Sequence, residues 1–176
     1  SKARVEANQA LVDELQPQLA GRDLDIGAER YQQAVAQLKT SKPAYDLFDE
    51  AELAIADKEL DLALGNVEEA ITLVPTEARF HGLQGDIKVY QKSYSAAITS
   101  YDEALSYDNN YYDYYLGRGV AHARLNQNSL ARDDLQRSAD LLPTAIALNE
   151  LGKLSLLDND RVSAKKYFQG AAGAQG

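Results

Sequence analysis

The sequence contains no cysteine and no methionine, and it has only two histidines and four prolines. The lack of cysteine excludes disulfides and thiolate metal sites. No apolar run approaches the roughly 18 residues that a membrane span needs, so we predict no membrane span. The amino end carries neither a secretory signal nor an initiator methionine. We therefore expect a mature product or a part of a longer protein.

Basic residues are also scarce, with 18 against 27 acids and a net charge of −9. The segment 44–77 holds ten acids and one base, Lys58, and so carries the whole net charge. An acidic chain without a basic stripe argues against binding to nucleic acid or anionic lipid. The acidic segment is either a solvated helical face or a docking patch for a basic partner.

Sequence motifs for catalysis are missing. There is no HExxH, GxSxG, GxxxxGK[ST] or GxGxxG, and no strand pattern longer than a few residues. His81 and His122 fall at positions 4 and 11 of their predicted helices, both inward-facing, which favours core histidines over ligands. Asp133 and Asp134 are adjacent on a helix and point apart, which is poor for general acid–base chemistry. We predict that this chain is not an enzyme and holds no metal or cofactor.

What the sequence does have is an internal repeat. Ala63, Ala97 and Ala131 are 34 residues apart, and Ala164 follows after 33. A second series with the same spacing consists of Val67, Tyr101, Leu135 and Phe168. Each period contains two helical patterns. Chain breaks are predicted weakly at Gly65-Asn66 and strongly at Pro75-Thr76, Asp108-Asn110 and Leu142-Thr144.

This 34-residue helix–turn–helix pattern resembles the tetratricopeptide repeat (TPR). Four units follow: 44–77, 78–111, 112–144 and 145–173. Counted from the start of each unit, the family's small residue at position 8 is Ala51, Gly85, Gly119 and Gly152. Its aromatic residue at position 4 is present only at Tyr115, and its proline at position 32 is replaced by Asn109 in the second unit. The resemblance implies an all-α solenoid of about four TPR units with an N-terminal helical segment.

Residues 1–43 lie outside the period. We expect a helix that Pro17 and Gly21 break, then a second helix at about 25–39 that ends before Pro43. The segment would be an N-terminal linker from an upstream domain. Residues 174–176 are expected to be a frayed tail.

Stacked helical hairpins line one side with their first helices, and this predicts a peptide-binding groove. Its exposed residues are predicted to be Tyr45, Phe48, Glu52, Ile55, Arg79, Leu83, Asp86, Val89, Tyr90, Asp113, Leu116, Val120 and Arg124. The mixed polar and apolar set suits an extended or helical peptide. An equal alternative is that some of these residues are buried against the N-terminal segment. TPR members that bind chaperone tails use a Lys/Asn/Arg clamp, and this chain has Phe48, Glu52, Leu83, Asp113 and Gly117 at those places.

Five tyrosines lie between residues 107 and 115. Tyr115 is predicted to be buried at the position-4 site, and Tyr107 is predicted at an apolar position. Tyr111, Tyr112 and Tyr114 are predicted to cover the seam between repeats, with ligand stacking by Tyr112 or Tyr114 as the alternative.

A closer resemblance covers nearly the whole chain. The runs ERYQQAVAQLKTSKPAYDLFDEA, EARFHGLQGD and YYLGRGVAHARLNQNSLARDDLQRSADLLPTA resemble the C-terminal repeat region of bacterial periplasmic BepA-type zinc metallopeptidases, relatives of the CAAX-prenyl endopeptidases and HtpX. The resemblance implies a zinc-binding catalytic domain upstream, absent here, and a periplasmic role in outer-membrane protein assembly or quality control. The partner would be the protein's own catalytic domain or an unfolded outer-membrane protein. The alternative is a free-standing adaptor or scaffold with no attached enzyme.

Overall fold

The computed structural model describes residues 2–19 and 25–174, and within these ranges the chain forms nine α-helices and no strand. This confirms the all-α prediction. The helices are α1 (Lys2–Leu19), α2 (Asp25–Ala56), α3 (Leu60–Leu73), α4 (Ala78–Tyr90), α5 (Tyr94–Tyr107), α6 (Tyr112–Arg124), α7 (Asn128–Leu141), α8 (Ala145–Leu157) and α9 (Arg161–Gly173).

The helices pair as the repeat predicts. The second half of α2 pairs with α3, and the pairs α4–α5, α6–α7 and α8–α9 follow, one within each predicted repeat range. The weak break predicted at Gly65-Asn66 is wrong, because α3 runs through both residues. The strong breaks at Pro75, Asp108 and Pro143 all lie between helices.

The turn inside each pair is the same four times. Position 15 has a positive φ in every unit, at Lys58 (64°), Lys92 (60°), Asn126 (59°) and Asn159 (60°). The next amide bonds back to the last turn of the first helix in each case, as in Ser93 N to Lys88 O at 2.8 Å and Gln127 N to His122 O at 2.9 Å. A left-handed residue closing a helix in this way is a common C-terminal cap, which usually uses glycine. The same left-handed turn therefore recurs in every unit with lysine or asparagine in place of glycine.

The two N-terminal helices are longer than predicted. α1 runs through Pro17 to Leu19, and α2 continues through Pro43 to Ala56, so both predicted proline breaks are wrong. Pro43 is exposed, so the helical carbonyl that it leaves unpaired faces the solvent side. The buried stripe of α2 continues on both sides of the proline, from Ala34 to Ala44 and Phe48. The predicted break at Gly21 and the tail at 175–176 lie outside the described residues.

The chain divides into two compact units, unit 1 (Ser1–Phe80) and unit 2 (His81–Gly176). The division falls within α4, and the predicted boundary between residues 43 and 44 falls within α2. In unit 1, α2 packs against both α1 and α3. The core of unit 1 includes Val12 and Ala34 towards its amino end and Ala63 and Val67 of α3.

In unit 2 the position-8 glycines make room for large side chains from the second helix of the same pair. A Cβ on Gly85 would lie 2.6 Å from the Tyr101 ring, and a Cβ on Gly152 would lie 2.6 Å from the Phe168 ring. A Cβ on Gly119 would lie 2.9 Å from Leu135. No real Cβ makes contacts that short, so the glycines are required by packing.

Of the five tyrosines between residues 107 and 115, Tyr114 alone is buried, so the cluster is not arranged as predicted. Tyr114 is buried at 5% exposure and its ring lies on Gly82, whereas Tyr115 is only half-buried. The Tyr115 hydroxyl donates to the Asn109 carbonyl at 3.1 Å, and the guanidinium groups of Arg118 and Arg137 lie 5.8 Å from its ring. The prediction that Tyr115 is the buried ring is wrong, because position 3 carries the buried ring.

Of the other tyrosines of the cluster, Tyr107 and Tyr111 are exposed and Tyr112 is half-buried. Tyr111 packs its ring against Tyr114 at 4.9 Å and is 42% exposed, so it covers the buried ring. The prediction that Tyr114 only covers the seam between repeats is wrong, because its ring is buried. Tyr107 is 47% exposed and stacks on the buried His81 at 5.5 Å. His81 is thus a core residue, as predicted.

Candidate peptide-binding site

In unit 1 the predicted groove residues are partly core. Tyr45 and Phe48 are 5% and 4% exposed, so the prediction that they are exposed is wrong. Both rings pack on Phe80, at 5.1 and 5.3 Å, and the Arg79 guanidinium covers Phe48 at 4.7 Å. The Tyr45 hydroxyl donates to Glu77. Burial is the main cause of the raised pKa of Tyr45, and the hydrogen bond to Glu77 adds to it.

The remaining groove residues of unit 1 form no cluster of their own. Glu52 is exposed and Ile55 is half-buried. In this unit the predicted groove is therefore an aromatic cluster sealed by an arginine, with an acidic helix face beside it. It does not offer an apolar peptide-binding strip.

In unit 2 most of the predicted groove residues reach the surface. Tyr90 is 62% exposed and Arg124 is exposed. Leu116 is the exception, because it is 8% exposed and packs in a core cluster with Ala131 and Leu135. The half-buried members of the set are Leu83, Asp86, Val89, Asp113 and Val120.

Tyr101 joins this surface to the core. Its ring comes from α5 and lies against Gly85 of α4 and Gly117 of α6, at places where any Cβ would overlap it. Its hydroxyl donates to Asp86 Oδ1 at 2.6 Å. Because Gly85 and Gly117 leave room for the buried Tyr101 ring, its hydroxyl reaches the Asp86 carboxylate.

The charged forms of the Asp86 and Asp113 carboxyl groups are disfavoured here. Burial raises the pKa of Asp86 to about 6; the Tyr101 hydrogen bond opposes this shift, and the negative charge of Asp113 adds to it. Burial also raises the pKa of Asp113. Among the described residues, neither carboxyl forms an ion pair with a basic side chain. Burial, Asp86, Asp113 and Tyr90 all raise the pKa of Tyr101. We call Asp86, Tyr90, Tyr101 and Asp113 the Asp86 surface.

A second polar group in unit 2 is structural. Arg118 donates to both carboxylate oxygens of Asp134, at 2.8 and 2.6 Å, and to Asp102 at 2.6 Å. These bonds raise the pKa of Arg118 although burial opposes the shift. His122 Nδ1 donates to Gln127 Oε1 at 2.6 Å, and His122 Nε2 lies 3.8 Å from Asp134 Oδ2. The group ties α6 to α5 and α7, and it gives His122 the satisfied environment predicted for it.

Within the ranges that the structure describes, no group of histidine and acidic side chains is arranged to hold a metal ion. The described helices include none that is long and apolar enough to cross a bilayer.

Sequence comparison identifies the repeat independently of this geometry. Residues 85–126 match the TPR repeat family. The chain contains a TPR region. The match lies within a series of four similar helix pairs. The fold is therefore an all-α TPR helical repeat. Comparison with curated proteins finds no match.

Solved structures with the same fold include proteins of different kinds. The first TPR of Spaghetti (RPAP3) bound to the HSP90 peptide SRMEEVD is 22% identical with a TM-score of 0.66, and the match covers 68% of this chain and 95% of that one. PilF of Pseudomonas aeruginosa is 20% identical with a TM-score of 0.73, over 99% and 79% of the two chains. MamA from Desulfovibrio magneticus is 15% identical with a TM-score of 0.68, over 96% and 93%. At these identities the similarity shows the fold alone.

Sequence reasoning placed Asp86 and Asp113 in the groove but missed Tyr101, because a residue of a second helix was not expected to reach that surface. The signal was present in the sequence. Tyr101 is the residue of its series that is both large and polar, and glycines stand at both 85 and 117.

Proposed function

We propose that this chain is a polypeptide-binding module and that the Asp86 surface of unit 2 takes a basic side chain of the bound segment. The observation that carries the proposal is the pair of half-buried carboxyls, Asp86 and Asp113, which have no cationic partner among the described residues. Tyr90, 62% exposed, supplies an aromatic contact beside them. Leu83 and Val120, both half-buried, provide apolar contacts on the same two helices.

A cation from a partner would relieve the cost of this arrangement. An ionised carboxylate that is partly desolvated and near a second negative charge is destabilised, and an opposite charge within about 4–6 Å stabilises it. Binding of a lysine or arginine therefore lowers the pKa of Asp86 from about 6. Because protons then compete with the basic ligand, affinity weakens as the pH falls below about 6.

The same charges disfavour an acidic ligand. The similar TPR structure binds the HSP90 peptide SRMEEVD, which contains three acids. In this chain Asp113 and Glu52 occupy two of the places where chaperone-tail binders carry their clamp. We therefore propose selectivity for basic over acidic segments.

The test is a titration with labelled peptides. One peptide carries leucines around a central arginine, a second replaces the arginine with glutamate, and the third is SRMEEVD. We expect the arginine peptide to bind at least about tenfold more tightly than the other two, a difference of about 1.4 kcal/mol. Asp86→Asn with Asp113→Asn should remove that preference. Asp133→Asn with Asp140→Asn, on two exposed residues of α7, is the control with the same loss of charge. Equal affinity for the arginine and glutamate peptides, or equal effects of the two acid variants, would refute the proposal.

The protein that carries this module is also a matter of proposal. The runs quoted above support a C-terminal part of a periplasmic zinc metallopeptidase, which presents unfolded outer-membrane protein or docks on its own catalytic domain. A free-standing adaptor is the alternative. An HExxH helix encoded upstream of residue 1 in the same gene decides for the peptidase, and an upstream sequence without one decides for the adaptor. The chain by itself is proposed to hold no zinc, which metal analysis after dialysis against a weak chelator would check.

A further inference from the structure

The last helix pair of unit 2 has an apolar trough of about 580 Å³ on its surface. Leu156 of α8 and Ala164, Phe168 and Ala172 of α9 line it. Two basic side chains, Arg161 and Lys165, lie beside them. Leu156 is 50% exposed, so this is a substantial apolar surface with a positive edge.

The preceding helix pair shows what such a surface receives. On α7, Ala131 and Leu135 form a buried cluster with Ala147, Leu151 and Leu154 of α8. A shift of 33 residues aligns Ala131 with Ala164 and Leu135 with Phe168. The trough is thus the repeat equivalent of the surface on which α8 lies, and it fits a first helix of another repeat.

The surface of α7 and the trough on α9 also correspond in charge. Arg132 of α7 pairs with Asp158, the residue that ends α8. The same shift of 33 residues aligns Arg132 with Lys165. A helix seated in the trough as α8 is seated on α7 would therefore place its own C-terminal cap opposite Lys165, and an acid there would be the matching residue.

The chain itself contains a helix with that acid. Asp57 directly follows α2 and is equivalent to Asp158, and Leu53 is equivalent to Leu154. Leu53 is 67% exposed. It lines a second cavity of about 280 Å³ together with Leu62, Glu50, Asp57 and Glu59. This surface combines exposed leucines with three acids, one of which, Glu50, stands where α8 has the buried Leu151. Its charge is opposite to that of the basic edge of the trough.

We propose that a second copy of this chain occupies the trough. The second half of α2 in one copy lies on α9 of another as α8 lies on α7, with Leu53 against Phe168 and Asp57 paired with Lys165. The charges favour this contact on a larger scale as well, because α9 has three bases and no acid while residues 44–77 carry the whole net charge of −9. The contact is heterologous, so each copy keeps one unused surface of each kind and association can continue.

The proposal is tested by sedimentation velocity of the purified chain over a range of concentrations, at about 50 mM and 500 mM salt. We expect the mean mass to rise with concentration at low salt and to fall at high salt, where charges are screened within about 3–5 Å. Lys165→Glu and Asp57→Lys should each weaken association at least about tenfold. The double variant Asp57→Lys with Lys165→Glu should restore it, since the pair is then reversed.

Lys166→Glu is the matched control, because Lys166 is exposed on α9 next to Lys165 but does not line the trough. Melting temperatures of all variants should agree within a few degrees, since every substituted residue is exposed. A monomer at every concentration in low salt would overturn the proposal. So would equal effects of Lys165→Glu and Lys166→Glu, or a double variant that stays monomeric. None of these results bears on the peptide titration, which probes the separate Asp86 surface.

Discussion

Gly85→Ala is expected to destabilise the protein although it improves helix propensity. The new Cβ would lie 2.6 Å from Tyr101 Cε1 and 2.8 Å from both Cδ1 and Cζ. The ring has no room to retreat, because Gly117 contacts it as well and its hydroxyl is held 2.6 Å from Asp86. Overpacking of this kind costs about 1–3 kcal/mol, and a weakened hydrogen bond adds about 1 kcal/mol. The gain from replacing glycine in a helix is about 1 kcal/mol. We expect a net loss of about 2 kcal/mol.

Gly65→Ala is the control, because a Cβ on Gly65 meets nothing within 4 Å and should add about 0.5–1 kcal/mol. The measurement is urea unfolding followed by circular dichroism. A third variant, Tyr101→Val, copies the pairing of Ala51 with Val67 in unit 1. Gly85→Ala should then cost less in the Tyr101→Val background than alone, which a double-mutant cycle measures. The packing argument fails if Gly85→Ala is as stable as Gly65→Ala, or if the two changes are additive.

Three further results are expected. Tyr114→Ala should cost about 3–5 kcal/mol, as for a buried aromatic, and Tyr115→Ala clearly less; a larger loss at Tyr115 in urea melts would contradict the burial described here. Ser138→Ala should add about 1 kcal/mol, because the buried Ser138 hydroxyl has no partner among the described residues; a loss of stability would show a hidden bond. Because the folded-state pKa of Asp86 is about 6 against an ordinary 3.8, the stability from its protonated form is complete below about pH 4 and lost as pH rises through 6. Asp86→Asn should therefore be more stable than wild type at pH 7 and equally stable near pH 4. Chemical denaturation over this pH range measures the difference in unfolding free energy between the two proteins, and a difference that does not change with pH would contradict the reasoning.

The repeat was predictable because it depends on spacing. Positions 8, 20 and 24 of each unit carry small or large side chains that the hairpin geometry needs. At position 20 the structure buries each of the four alanines, Ala63, Ala97, Ala131 and Ala164. The internal turn was not foreseen, because Lys58 and Lys92 are not typical left-handed residues. Only comparison of all four units at position 15 would have indicated it.

The errors arose where a single residue depends on its neighbours. Pro43 looks like a helix end, but α2 keeps its buried stripe on both sides of it and the lost bond faces solvent. Tyr114 and Tyr115 differ by one position, which is about 100° around a helix, so a template that places the aromatic at position 4 selects the wrong ring. Phe48 was predicted to be exposed because the template does not include Phe80 and Arg79, which cover it.

Tyr101 is better explained by the surface than by the core. The equivalent places in the following units hold Leu135 and Phe168, which fill the space beside a glycine without any polar atom. Packing alone therefore does not require a hydroxyl at this position. Asp86 accepts the hydrogen bond from the Tyr101 hydroxyl. The equivalent residues of the following units are Val120 and Lys153. Of the four units, the second alone has a tyrosine at position 24, and its acid at position 9 accepts the hydroxyl's hydrogen bond; the first unit has Glu52 with Val67 at these positions. In the proposed site for a basic side chain, this pairing would fix the position of a carboxylate whose charged form burial disfavours.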